Sequence, residues 1–235
     1  MIQNVSHIGP LVPLHLKPIV QTQGGCRNLY RIFNYTEKNE RPLCEHAWDH
    51  YVEKDNSRPE NRWTNLYKIC HTVIHDHEYV WFQYRVLFKI LGTNEYLKKV
   101  KISQTNECRL CKQAPESIIH LFTKCNKANQ LWDNIVYWIK DKLGLHLILS
   151  DTSKILGYMQ MDINFWQINF ILLVTRKYIY TCSKKGYSIN IFHLQKEVKK
   201  VFKEQSLLRS LKCQNNHFST KWAKWEKLFA GIDDG

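Results

Sequence analysis

The sequence predicts a mostly α protein, with helical arrays on either side of a short element rich in cysteine and histidine. Three observations predict it. Glycine and proline are scarce, nine and six in 235 residues, which disfavours a fold built from many hairpins. Apolar residues recur at spacings of three and four along most of the chain, the period of an amphipathic helix. Between the helical stretches, Cys108, Cys111, His120 and Cys125 crowd into one short segment.

Residues 1–23 carry Pro10, Pro13 and Pro18 and read as an extended or poorly ordered tail. Gly24 and Gly25 close it, and residues 24–100 form an N-terminal helical region. Helices are predicted there over 26–34, from Leu29, Tyr30, Ile32 and Phe33, and over 44–52, from Ala47, Trp48, Tyr51 and Val52. Ser57 as N-cap and Pro59 in the first turn start another, running through Trp63, Leu66, Tyr67 and Ile69. Over 78–91 one stripe holds Val80, Tyr84, Leu87, Phe88 and Leu91. Trp81, Phe82, Val86 and Ile90 cover much of the remainder. A helix apolar nearly all round is a central, buried one, and Gly92 is placed to end it in the left-handed conformation. Thr93 or Asn94 then caps a short helix through Leu97.

Residues 101–145 comprise the Cys/His element and a helix over 128–143, with Leu131, Trp132, Ile135, Val136, Trp138, Ile139 and Leu143 inward and Gly144 as its stop. Residues 146–235 form a C-terminal helical region. Its start, 145–156, fits either a loop or a short turn. One long buried helix over 162–182 is broken at Lys184-Lys185-Gly186. Another over 189–211 carries Phe192, Leu194, Val198, Val201, Phe202 and Leu208, and a last over 220–229 carries Trp222, Trp225, Leu228 and Phe229.

Composition narrows the function. Apolar residues make up 44% of the chain, so it is globular rather than disordered. The net charge of +13 and a pI near 9.3 point to polyanionic partners, nucleic acid before an anionic membrane. The first twenty or so residues lack the basic start of a secretory signal. The most apolar stretch, 163–182, carries Asn164, Gln167, Asn169, Arg176 and Lys177, too polar for hydrocarbon. The expectation is an intracellular protein, in nucleus or cytoplasm, neither secreted nor membrane-bound. In a reducing compartment, clustered Cys and His mean metal rather than disulfides.

The cluster reads C-x2-C-x8-H-x4-C. Three thiolates and an imidazole are the ligand set of a tetrahedral zinc site. The two-residue gap puts Cys108 and Cys111 on one tight turn. A helix over 116–123 would carry His120, with Cys125 just past its end. Four protein ligands leave no open coordination position, so one structural zinc is expected rather than a hydrolytic one. Around the cluster stand Lys98, Lys99, Lys101, Arg109, Lys112, Lys124 and Lys127, against Glu95, Glu107 and Glu116. These basic residues are the candidate phosphate contacts; the plainer alternative is a solvated surface.

Other candidates are weaker. Cys70, His71, His75 and His77 lack the Glu of a His-Glu-x-x-His protease and read as a partly exposed helix end. Cys26, Cys44, Cys182 and Cys213 read as buried thiols. The aromatic residues read as core, and any left exposed would be a stacking surface for unpaired bases.

Trp81-Phe82-Gln83-Tyr84-Arg85, Lys89-Ile90-Leu91-Gly92-Thr93-Asn94, the Cys/Cys/His/Cys set, His120-Leu121-Phe122 and Leu131-Trp132 together resemble the zinc-binding region of LINE-type (non-LTR) retrotransposon reverse transcriptases. The resemblance spans about 25–231 and is most specific between Trp81 and Trp132. It implies that Cys108, Cys111, His120 and Cys125 bind zinc. It also implies a helical region downstream of a polymerase core that helps hold RNA or target DNA during target-primed reverse transcription.

The polymerase motif itself is missing. A reverse transcriptase needs an aromatic-x-Asp-Asp turn and a third carboxylate for two metal ions. The one Asp-Asp pair, Asp233-Asp234, stands in a polar tail with no aromatic two residues earlier. The expectation is therefore a non-catalytic, retrotransposon-derived fragment, either the truncated tail of a longer polyprotein or a part of one read from an internal methionine, that binds RNA or DNA through a basic surface. The alternative is a scaffold that docks onto a reverse-transcriptase core without touching nucleic acid. Neither reading requires a small-molecule substrate.

Overall fold

The computed structural model describes residues 43–52, 62–159, 163–211 and 222–232. The expectations for 1–23, 26–34, Ser57, Pro59, Cys26, Cys213 and Asp233-Asp234 lie outside the described residues. Among the described residues every named element is helical, and one isolated bridge, Glu107 with Pro115, is the exception to an all-helical backbone. The chain divides into Met1–His46 and Ala47–Gly235. In the first unit the described element is α1, Leu43–His46, where Cys44 is buried as expected.

The second unit begins with α2, Asp49–Val52. The single helix expected over 44–52 is thus two separate turns. Trp48, in the second unit, is wholly buried there and its indole N–H donates to the carbonyl of Leu87 at 2.8 Å. Helix α3, Arg62–Val73, buries Leu66, Ile69 and Val73. Helix α4, His77–Leu87, starts where the Asp76 carboxylate accepts from the Glu78 N–H at 2.7 Å.

The end of α4 departs from expectation. Ile90 N–H donates to Arg85 O at 2.9 Å and Lys89 N–H to Val86 O at 3.1 Å, the paired bonds of a Schellman closure. The left-handed residue is Lys89, with φ 55°, and not Gly92. The strain this places on a lysine is offset by its side chain. The ammonium donates to Ala47 O at 2.7 Å and lies 4.3 Å from the Trp48 ring centroid.

The buried face of α4 also differs. Tyr79, Phe82, Gln83, Val86 and Leu87 are buried, whereas Trp81 and Tyr84 face solvent. Of the expected stripe Leu87 and Leu91 are buried and Val80 is half-buried, but Tyr84 and Phe88 face outward. Gln83 explains the error, because a polar side chain sits on the inward face. Its Oε1 accepts from Nη2 of the wholly buried Arg176 at 3.2 Å.

Helix α5, Asn94–Lys99, is capped by Thr93 as expected. Helix α6, Asn126–Leu143, buries Ala128, Leu131, Trp132, Ile135, Trp138 and Ile139, and ends at Gly144 with φ 66°. Within 145–156 a short helix does form, α7, Asp151–Leu156, with the Ser150 hydroxyl accepting from Ser153 N–H at 3.1 Å. Helix α8, Ile163–Lys185, is the central one, packing against α3, α4, α7 and α9, Ile191–Leu211. Along α8, residues 166–176 are buried without interruption, as the absence of a polar face requires.

On α9 the inward residues are Leu194, Val198, Val201 and Gln205, spaced four, three and four, while Phe192 is 68% exposed. Here too a glutamine takes a core position, its Oε1 accepting from His75 N–H at 2.7 Å. The last segment is a turn followed by a 3-10 helix, Glu226–Phe229, and not the α-helix expected. It still buries Trp222, Trp225, Leu228 and Phe229. Each such aromatic or aliphatic side chain contributes about 1.5–3 kcal/mol.

Candidate metal centre

The chain from Asn106 to Glu116 doubles back on itself. Glu116 N–H donates to Asn106 O at 2.7 Å and Cys108 N–H to Ala114 O at 2.7 Å. Lys112, with φ 59°, turns the loop and donates its N–H to Cys108 O at 2.9 Å. Cys108 and Cys111 therefore share one tight turn, as the spacing predicts. Their donors meet those of a second segment. Residues His120–Lys124 form a π-helical turn, closed by Cys125 N–H to His120 O at 2.7 Å. The wider turn brings His120 and Cys125 to one side. Insertions of this kind recur at functional sites.

Cys125 is also the N-cap residue of α6. Trp132 on that helix anchors the π turn from beneath, its indole N–H donating to Phe122 O at 2.8 Å. Leu121 and Phe122 are wholly buried, so the turn is fixed into the core. The helix predicted over 116–123 starts only at Ile118 and is π-helical over His120–Lys124, and Cys125 lies past its end as expected.

The four donor atoms of Cys108, Cys111, His120 and Cys125 all lie within 4.8 Å of one another. Cys108 Sγ is 4.0 Å from Cys125 Sγ, and Cys111 Sγ is 3.3 Å from His120 Nε2. A tetrahedral zinc with Zn–S near 2.3 Å and Zn–N near 2.0 Å has edges of about 3.5–3.8 Å. The cluster therefore fits one zinc ion with little movement. When bound, zinc supplies a cross-link between the loop and the start of α6, and three sulfurs with one nitrogen complete its shell.

The surroundings suit thiolates. The backbone N–H groups of Lys127 and Ala128, at the start of α6, point at Cys125 Sγ. Those of Leu110 and Cys111 do the same for Cys108 Sγ. Without metal, the hydrogen bond between the two sulfurs holds the Cys108 thiol well above its ordinary range, and burial adds to this. The same bond lowers Cys125.

Sequence reasoning missed the residue that holds this loop in place. Glu116 is wholly buried. Its carboxylate accepts from Arg109 N–H at 2.7 Å, from Asn94 N–H at 3.2 Å and from the Ser183 hydroxyl at 2.8 Å. The Arg109 guanidinium pairs with it at 2.5 Å and donates to Gly92 O at 3.0 Å. One carboxylate so ties the metal loop to the start of α5 and to the end of α8. The sequence signal was slight, a lone Glu among the acidic neighbours of the cluster.

The other expected site residues divide. Lys98, Lys99, Lys101, Lys112, Lys124 and Lys127 are exposed. Lys124 pairs with Asp151 at 2.8 Å. Arg109, expected among the phosphate contacts, is instead engaged inward by Glu116, with its side chain 20% exposed. His71, His75 and His77 are exposed, and with Cys70, whose side chain lies outside the described residues, they form no donor cluster among the described residues. Cys182 is buried as expected, and burial raises its thiol. No described helix is long and apolar enough to cross a membrane.

No curated protein and no solved structure gives a significant match to the chain. A family model for zinc-binding regions in reverse transcriptases matches residues 32–132. The match takes in all four metal donors and Glu116, and ends on Trp132, the side chain that anchors the π turn. Over residues 32–132 the chain is thus similar to the zinc-binding region of reverse transcriptases.

Proposed function

We propose that this chain is a non-catalytic module of a LINE-type (non-LTR) retrotransposon reverse transcriptase, which contacts RNA or target DNA through the lysines around a structural zinc. The carrying observation is the setting of the closed four-donor cluster. Lys98, Lys99, Lys101, Lys112 and Lys127, its neighbours in sequence, are exposed and have no carboxylate partner among the described residues. Arg109 and Lys124 are engaged by Glu116 and Asp151 and serve the fold. The net charge of +13 supports the same reading.

Lysines held near a rigid metal loop contact phosphate without reading sequence. The test is the salt dependence of binding to single-stranded RNA and to duplex DNA. Five phosphate contacts give a log–log slope of about −3 to −4 on single strands, and alanine at each lysine reduces it by about 0.7. Binding that is absent, or indifferent to salt, contradicts the proposal. Co-purification with a reverse-transcriptase core in that case would leave the docking role.

A further inference from the structure

The outer face of α4 is not explained by packing. The helix is already seated by Tyr79, Phe82, Val86 and Leu87. Trp81 is nonetheless 59% exposed, followed along the same face by Tyr84 and Phe88, 40% and 39% exposed. The rings touch in sequence: Trp81 meets Tyr84 edge-on at 5.5 Å between centroids, and Tyr84 stacks on Phe88 at 4.3 Å. A contiguous exposed aromatic face on a helix marks an interaction surface.

Its neighbours determine what it fits. Trp81 and Arg85 form one wall of a groove of about 850 Å³ between α4 and α8, with Lys177, Tyr180, Lys184 and Lys185 opposite. Of its two acids, Glu78 is taken by Lys177 at 2.6 Å, which leaves Glu197 against three cations. The Arg85 Nε–H donates to the backbone carbonyl of Trp81 at 3.2 Å, and both side chains line the groove. Among the described residues Lys184 has no carboxylate partner, and Lys185 lies 5.8 Å from the Tyr187 ring centroid. An open indole flanked by cations that no described carboxylate neutralises is the pairing that single strands use, base on ring and phosphate on cation. A duplex offers no free base face to an indole.

We propose that this groove is a single-strand nucleic-acid site, in which an unpaired base stacks on Trp81 and the adjoining phosphates are held by Arg85, Lys184 and Lys185. It rests on the nucleic-acid reading above and adds the strand class and a second contact surface. Stacking does not read the sugar, so RNA and DNA single strands both bind.

The test uses the full, zinc-loaded chain and labelled oligouridylate and oligothymidylate of about twelve nucleotides, with a duplex and an abasic strand of equal length. Trp81→Ala weakens both single strands by roughly five- to hundredfold, the loss of one stacked base. It leaves the salt slope, the duplex and the abasic strand unchanged. Trp81→Phe retains most of the affinity. The pair Lys184→Ala/Lys185→Ala lowers the slope by about 1.4. Trp81→Ala that binds oligouridylate within about twofold of the parent, with zinc content and helicity intact, overturns the groove. If such binding is then lost on replacing Lys98, Lys99 and Lys101, the zinc-side reading survives alone. No binding by the parent chain overturns both readings. Loss of self-association, and not of oligonucleotide binding, in Trp81→Ala would give the face to a second copy and also overturn the groove.

Discussion

Arg109 and Glu116 form an ion pair of 2.5 Å with the carboxylate wholly buried, and the pair fixes the metal loop to the helices around it. Arg109 stands between Cys108 and Cys111, so its position sets theirs. Glu116 accepts from three further donors beyond the guanidinium, on Arg109, Asn94 and Ser183. Glu116→Ala leaves those three donors without this acceptor and the guanidinium with Gly92 O alone. It destabilises the protein by about 3–5 kcal/mol in denaturant unfolding and weakens zinc by about ten- to hundredfold in chelator competition. Equal zinc affinity in parent and variant would show that the carboxylate does not position the loop.

Zinc binding releases protons. In the metal-free protein the Cys108 thiol is held up by its hydrogen bond to Cys125 and by burial, so it is protonated at neutral pH. A thiolate is the ligand, and the ion must expel that proton. Zinc affinity therefore falls as pH falls. Calorimetry in buffers of different ionisation enthalpy should show at least one proton released per zinc near pH 7. Binding without proton release would place the metal elsewhere.

Alkali weakens the fold through two tyrosines. Burial pushes Tyr178 up to about 12 and raises Tyr79 as well, both from an ordinary value of 10.0. Between the unfolded and folded values the native state binds more protons than the unfolded chain. Their contribution is complete below pH 10 and is lost as pH rises through the folded values. Unfolding free energy should fall above pH 10 by up to about 1.4 kcal/mol per pH unit for each tyrosine. Tyr178→Phe should make the fall shallower. An unchanged slope in that variant would contradict the assignment.

Gly157 follows α7 with φ 95°, and a Cβ there would stand 2.7 Å from Asn169 Oδ1. That oxygen accepts from Tyr158 N–H at 2.7 Å, so it cannot withdraw without breaking the bond that joins this turn to α8. Gly157→Ala combines left-handed strain with a clash and should cost more than about 1 kcal/mol in thermal or urea unfolding. Stability equal to the parent would mean that the turn relaxes freely.

The donor set of the metal centre was legible because it is local. Two residues between Cys108 and Cys111 dictate a turn, and a cysteine just past a helix dictates a cap. Helix α8 was legible from its length and its lack of a polar face. What hid was set by distant partners. Gln83 and Gln205 look like surface residues until Arg176 and the His75 N–H are brought to them. The outward turn of Trp81 depends on that choice of face. Glu116 could not be singled out, because its partners Asn94 and Ser183 lie 22 and 67 residues away in sequence.

Zinc K-edge X-ray absorption on the purified chain tests the central claim most directly. The account predicts one zinc per chain with three sulfurs at about 2.3 Å and one nitrogen at about 2.0 Å. The same measurement on Cys111→Ser should show the metal lost or a sulfur replaced, with helicity near the site reduced. A chain purified without chelator that carries no zinc, or a parent spectrum with water or carboxylate oxygen in place of sulfur, would contradict a closed centre at Cys108, Cys111, His120 and Cys125.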